Sequence, residues 1–154
     1  MMTLKPCTTL ILIFLFLAFP IRSNAVSNAC TVEQDSRADK AIVQAKQWNT
    51  LYSIYLQFKN CDNGGTAELF DDAVIKLLAN NWKTLPQLTM LMSRDEDYKR
   101  FVMSHISATG DLHDLKKIQV YANSKCPSGY RSTCDLIESK TMDAIKTLES
   151  FGIR

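Results

Sequence analysis

The stretch from Thr66 to Ala108, TAELFDDAVIKLLANNWKTLPQLTMLMSRDEDYKRFVMSHISA, most constrains what this chain can fold into. Phe70, Val74, Leu77 and Leu78 recur at i, i+4, i+7 and i+8. Tyr98, Phe101, Val102, His105 and Ile106 recur at i, i+3, i+4, i+7 and i+8. Both spacings draw one apolar stripe along an α-helix. Between them, Leu85 to Met92 is a shorter helical piece with Pro86 in its first turn, where a missing N–H costs nothing. Three consecutive helices cannot bury their stripes alone, so the flanking segments must close over them.

Residues 1–25 are expected to be a signal peptide rather than part of the fold. Lys5 supplies a positive n-region, Leu10 to Phe19 is an uncharged apolar run, and Ser23-Asn24-Ala25 has the small residues of a cleavage site. The run falls short of the roughly 20 apolar residues of a bilayer span. The product is therefore expected in the periplasm or secreted, without stable membrane insertion after cleavage. The 18 basic residues include Lys5 and Arg22, so residues 26–154 carry 16 against 16 acidic ones. No cluster of Lys and Arg tracks one face, which argues against a nucleic-acid or other polyanion partner. Five glycines and four prolines favour helices over a sandwich or barrel.

Of five cysteines, Cys7 leaves with the leader. Cys30, Cys61, Cys126 and Cys134 form an even set in an exported chain, which predicts two disulfides. If Arg37 to Lys59 is one unbroken helix, its ends lie roughly 33 Å apart, whereas bridged Cα atoms lie about 4.4–6.8 Å apart. That disfavours Cys30–Cys61 unless the helix kinks. The preferred pairing joins Cys61 to Cys126 or Cys134 and Cys30 to the other. A local Cys126–Cys134 bridge around Pro127-Ser128-Gly129 competes with it. Zinc is disfavoured, because the closely spaced cysteine pairs of zinc sites are missing.

Taken in order, Asp35 or Ser36 caps the first helix, which carries Ala41, Ala45, Trp48, Tyr52 and Tyr55 on one side. Asn60-Cys61-Asp62-Asn63-Gly64-Gly65 marks a tight turn. A calcium loop is not expected there, because the alternating acids and closing Glu are missing. Thr66 caps the second helix, which pairs Asp72 with Lys76 and ends near Trp82. Thr84 caps the third. Ser93-Arg94-Asp95-Glu96 fits a capping box for a fourth helix reaching Ala108. Gly110 ends it, and Asp111 starts a fifth with Leu115, Ile118 and Ala122 inward. A sixth restarts at Ser132 or Thr133, with Ile137, Ala144, Ile145 and Leu148 inward.

No catalytic residue, metal ligand or cofactor site emerges. His105 sits on an apolar stripe, where a hydrogen-bonded core role outweighs a base. His113 lies near a helix start, on no recognised metal spacing with it. The acids Asp71, Asp72, Asp95, Glu96 and Asp97 are explained by capping and the helix dipole, or by recognition of a basic partner.

The segments DAVIKLLANNW, FVMSHISATGDL and KCPSGYRSTC, in this order after a signal peptide, resemble a recurrent type of small exported, helical, disulfide-bonded bacterial protein of unassigned function. In size, export and cysteine use the chain is similar to the periplasmic immunity proteins that block peptidoglycan-amidase effectors. That resemblance is architectural, and it implies a protein partner rather than a reaction.

The reading is thus an all-α single domain of about six helices over residues 26–154, cross-linked by two disulfides. The expected function is a non-enzymatic binding protein, an inhibitor or immunity-type protein that occludes a partner enzyme. Asp62, Asn63, Gly64 and Gly65, with Asp95, Glu96 and Asp97, are the candidate contact residues. The alternative is a small-ligand or lipid carrier with Trp48, Tyr52, Tyr55, Trp82 and Met92 around an apolar pocket of at least about 300 Å³. An enzyme would need His105 exposed beside a carboxylate.

Overall fold

Two helical hairpins, each tied at one end by a disulfide, clasp a central helix. The computed structural model describes residues 29–153, so the expected signal segment lies outside the described residues. Those residues form seven α-helices and no strand: α1 (Val32–Val43), α2 (Trp48–Phe58), α3 (Gly64–Asn80), α4 (Leu85–Arg94), α5 (Glu96–Ser104), α6 (Leu112–Ser124) and α7 (Arg131–Ser150). Single 3-10 turns, Lys59–Cys61 and Trp82–Thr84, follow α2 and α3. One hydrophobic core runs through the whole assembly, as in a single domain.

The expected helix from Arg37 to Lys59 is two helices. The chain leaves α1 at Gln44, re-enters a helix after the extended Gln47, and folds back. Thr31, not Asp35 or Ser36, caps α1: its hydroxyl accepts from Gln34 N–H, and the Gln34 side chain accepts from Thr31 N–H. Folding back returns the end of α2 to the start of α1, and Cys30 bonds Cys61 with Cα atoms 4.8 Å apart. This corrects the preferred pairing; the kink that the bridge requires is the α1–α2 turn. Cys126 bonds Cys134 across the α6–α7 turn, Cα atoms 6.0 Å apart.

The stripes of the central stretch are buried: Phe70, Val74, Leu77 and Leu78 on α3, and Tyr98, Phe101, Val102, His105 and Ile106 from α5 onward. Leu85, Leu88, Leu91 and Met92 of α4 are buried as well. On the outer face of α3, Lys76 Nζ lies 2.7 Å from Asp72 Oδ2, the expected i, i+4 pair.

Several caps differ from expectation. Asn63 precedes α3, while Thr66 lies inside the helix, buried, with its hydroxyl 2.6 Å from both Asp35 Oδ1 and Asp39 Oδ1 of α1. That contact sets α3 beside α1 with their N-termini together. Asp95 rather than Ser93 caps α5, accepting from Tyr98 N–H at 2.9 Å; the Ser93 hydroxyl donates to Met90 O instead. α5 stops at Ser104, four residues short, because His105 leaves helical geometry to reach inward. Asp111 caps α6 as expected, accepting from Asp114 N–H. Tyr130, not Ser132 or Thr133, precedes α7.

Candidate functional site

The densest polar cluster in the interior forms where α5 ends. His105 is 4 % exposed. Its Nδ1 donates to Asp71 Oδ1 at 2.6 Å, and its Nε2 donates to Asp62 Oδ2 at 3.2 Å. Carboxylates only accept, so a ring that serves both must carry both protons. Burial alone pushes the His105 pKa down, but the bonds to Asp62 and Asp71 outweigh it and raise it above the ordinary histidine value. Asp71 also accepts from the hydroxyls of Ser107, at 2.8 Å, and Thr109. Burial pushes the Asp71 pKa up; His105, Thr109 and Ser107 together hold it below the usual carboxylate range.

Each member of this cluster arrives by a different route. Asp71 falls on the inward side of α3 with Val74, Ile75 and Leu78, at i, i+3, i+4 and i+7. His105 arrives on the α5 stripe. Asp62 is delivered by the loop after Cys61, which the disulfide anchors. Ser107 and Thr109 come from the short loop to α6. The cluster therefore clamps two loops to the middle of α3. A general base needs a free nitrogen facing substrate; here both nitrogens are engaged.

A second bond marks the other end of α5. Tyr52 OH donates to Asp95 Oδ2 at 3.0 Å. The Tyr98 N–H and the Tyr52 hydroxyl hold the Asp95 pKa down, while the bond to Asp95 raises that of Tyr52. Between the two ends an aromatic ladder fills the α2–α5 contact. Tyr52–Tyr98, Tyr55–Phe101, Phe70–Phe101 and Phe101–His105 have ring centroids 4.7, 4.7, 4.9 and 4.3 Å apart. α5 thus runs alongside α2 in the same direction, with Asp95 beside Tyr52 and His105 beside Asp62.

The candidate contact residues divide accordingly. Asn63, Gly64 and Gly65 are exposed, and Gly64 adopts φ +51°, a conformation glycine takes without strain. Asp62 is held inward by His105. Asp95 is half-buried in its cap, while Glu96 and Asp97 are exposed and pair within the helix with Lys99 and Arg100. The two loops lie at opposite ends of the nine-residue α5, about 14 Å apart at 1.5 Å per residue. They flank one edge rather than merging into one patch.

The residues of the carrier reading do not line one cavity. Trp48 and Tyr55 pack in the core, Tyr52 joins the ladder, Trp82 edges a groove with Tyr121 and Lys125, and Met92 edges another with Thr133 and Leu136. Among the described residues, the one grouping of potential metal ligands is Cys30, Asp35 and Cys61, whose two sulfurs are bonded to each other. No helix of the described residues is long and apolar enough to cross a membrane. Compared with known proteins, the chain matches no family model, no curated protein and no solved structure.

Proposed function

We propose that this chain is an exported, non-enzymatic binding protein, an inhibitor or immunity-type protein that presents the α2–α3 loop and the start of α5 to a protein partner. The observation that carries the reading is the mounting of the Asn63-Gly64-Gly65 loop. It is exposed, yet Cys61 on one side is disulfide-bonded, Asp62 is held by His105, and Thr66 is buried against α1. A recognition edge fixed before binding loses little conformational freedom on association. Glu96 and Asp97 stand exposed at the far end of the same edge; their surface pairs with Lys99 and Arg100 are weak enough for a basic partner to exchange. The two disulfides support an oxidising compartment, in keeping with a leader over residues 1–25.

The test combines capture with mapping. Residues 26–154, disulfides intact, are immobilised and exposed to secreted and periplasmic extract of the source organism. Hydrogen exchange is then measured on the purified complex. A stoichiometric partner that slows exchange at 62–65 and 95–97 is expected. Protection confined to other segments would show that the contact edge is misplaced, and no partner at micromolar concentration would remove the binding reading.

A further inference from the structure

Charge is segregated along α3. At its N-terminal end lie Asp35, Asp39 and Asp62. About 25 Å away by helix rise, its C-terminal residues Asn80 and Asn81 sit among lysines from three other places in the chain. Three adjoining grooves of about 550, 400 and 470 Å³ meet there, all three lined by Asn81 and the first two also by Asn80. Lys46, Lys76, Lys83 and Lys125 line them, against a single acid, Asp72, which already pairs with Lys76.

Part of this charge answers helix ends. α1, α3 and α6 all terminate here, each leaving roughly half a negative charge. Lys46 Nζ donates to Val43 O at 3.2 Å, and Lys117 Nζ donates to Asn80 Oδ1 at 3.0 Å. Lys83 and Lys125, however, have no carboxylate partner among the described residues. The groove keeps a positive surplus facing solvent.

The uncharged lining narrows the ligand. Gln47, Asn81, Thr84 and Gln87 place amides and a hydroxyl between the lysines. Such groups suit a ligand with hydroxyls as well as anionic groups. A nucleic acid would seek open aromatic faces to stack on. Here Lys125 Nζ stands 4.8 Å and Lys117 Nζ 6.0 Å from the Tyr121 ring centre, and Trp82 is buried with its Nε1 donating to Lys125 O. Nor does any arginine line the grooves to grip a phosphate bidentately.

We propose that this groove binds an anionic oligosaccharide, its carboxylate or sulfate groups pairing with Lys46, Lys83 and Lys125 and its hydroxyls with the amides around Asn81. The site is separate from the edge assigned to a protein partner and stands or falls independently of it.

The test uses residues 26–154 and three probes in calorimetry at low salt: a heparin-derived octasaccharide, a galacturonate octamer and a 20-nucleotide oligo-dT. At least one oligosaccharide is expected to bind, and more weakly at high salt because exposed charges are then screened. Lys83→Glu with Lys125→Glu should weaken that binding tenfold or more, and the milder Lys83→Gln with Lys125→Gln threefold or more. Lys40→Glu with Lys140→Glu, the same charge change away from the groove, should alter it less than twofold. All are exposed positions, and circular dichroism checks that each variant is folded. Failure of both oligosaccharides to bind, tighter binding of oligo-dT, or equal losses in the groove and control variants would overturn the proposal.

Discussion

His105 Nδ1 lies 2.6 Å from Asp71 Oδ1, joining the end of α5 to the middle of α3. The pairing makes stability depend on pH in a definite direction. Folding raises the His105 pKa, so its contribution is complete below the ordinary value of about 6.5 and is lost as pH rises through the higher folded value. Folding lowers the Asp71 pKa, so its contribution is complete above about 3.9 and is lost as pH falls through the lower folded value. Thermal stability should therefore be greatest between about pH 4 and 6.5 and decline on the alkaline side. His105→Leu should cost about 2–4 kcal/mol, below the full cost of a broken buried pair because Ser107 and Thr109 still donate to Asp71. It should also flatten the alkaline limb. A wild-type Tm that climbs steadily from pH 5.5 to 8.5 would contradict the imidazolium.

The two disulfides should differ in worth. Cys30–Cys61 closes a loop with sequence separation 31, and Cys126–Cys134 one of 8. Chain-entropy arithmetic gives about 4 kcal/mol for the longer loop and about 2.5 kcal/mol for the shorter. Urea unfolding of Cys30→Ala/Cys61→Ala should accordingly show the larger loss, and Cys126→Ala/Cys134→Ala the smaller. The reverse order would mean that the α1–α2 hairpin persists in the unfolded chain.

The contrast between α3 and the α1–α2 hairpin shows what was legible in the sequence. Phe70, Val74, Leu77 and Leu78 declare the inward face of α3 through spacing alone, because a single helix decides it. The turn at Gln44–Gln47 contains no glycine or proline. The buried residues Ala38, Ile42, Ala45, Trp48, Leu51, Tyr55 and Phe58 run through it at spacings of three and four. Periodicity cannot see such a break; only the gain from packing α2 back on the core creates it, and with it the Cys30–Cys61 bridge. In the site, His105 was legible as core from its stripe, and Asp71 could have been matched to it as an acid on an inward position of α3. Asp62 could not, since a loop residue has no periodicity. The lysines of the groove were hidden for the same reason: Lys46, Lys83 and Lys125 come from separate chain segments, and only the fold gathers them.

Tyr98 is fully buried, and its hydroxyl has no hydrogen-bond partner among the described residues. Burial pushes its pKa up, so the phenol stays neutral. An unpartnered buried hydroxyl costs about 1–3 kcal/mol, while the ring itself packs against Tyr52, Tyr55 and Phe101. Tyr98→Phe should then raise stability by about 0.5–2 kcal/mol in urea unfolding with an unchanged m-value. Tyr52→Phe, which removes a donor to Asp95, should lower it. A loss in Tyr98→Phe as large as that in Tyr52→Phe would mean that the Tyr98 hydroxyl has a partner in solution.

Gly110 is held to glycine by its neighbour rather than by its backbone. A Cβ there would run into Ile75 Cδ1, and Ile75 is buried in α3. Gly110→Ala therefore forces Ile75 out of its rotamer, an overpacking cost of about 1–3 kcal/mol. The restricted unfolded chain returns about 0.4–1 kcal/mol, leaving a net loss of about 0.5–2 kcal/mol. Ile75→Val removes the clashing methyl at its own cost of about 0.5–1.5 kcal/mol. If the clash is the cause, the double variant should lose less than the two single losses added, because the second change relieves the first. Simple additivity, or a gain in Gly110→Ala alone, would show that the α5–α6 loop moves away from α3 to admit the methyl. Since Ser107 and Thr109 of that loop donate to Asp71 and help to hold its pKa down, such a movement would also raise the pKa of Asp71, which an NMR titration of its carboxyl would register.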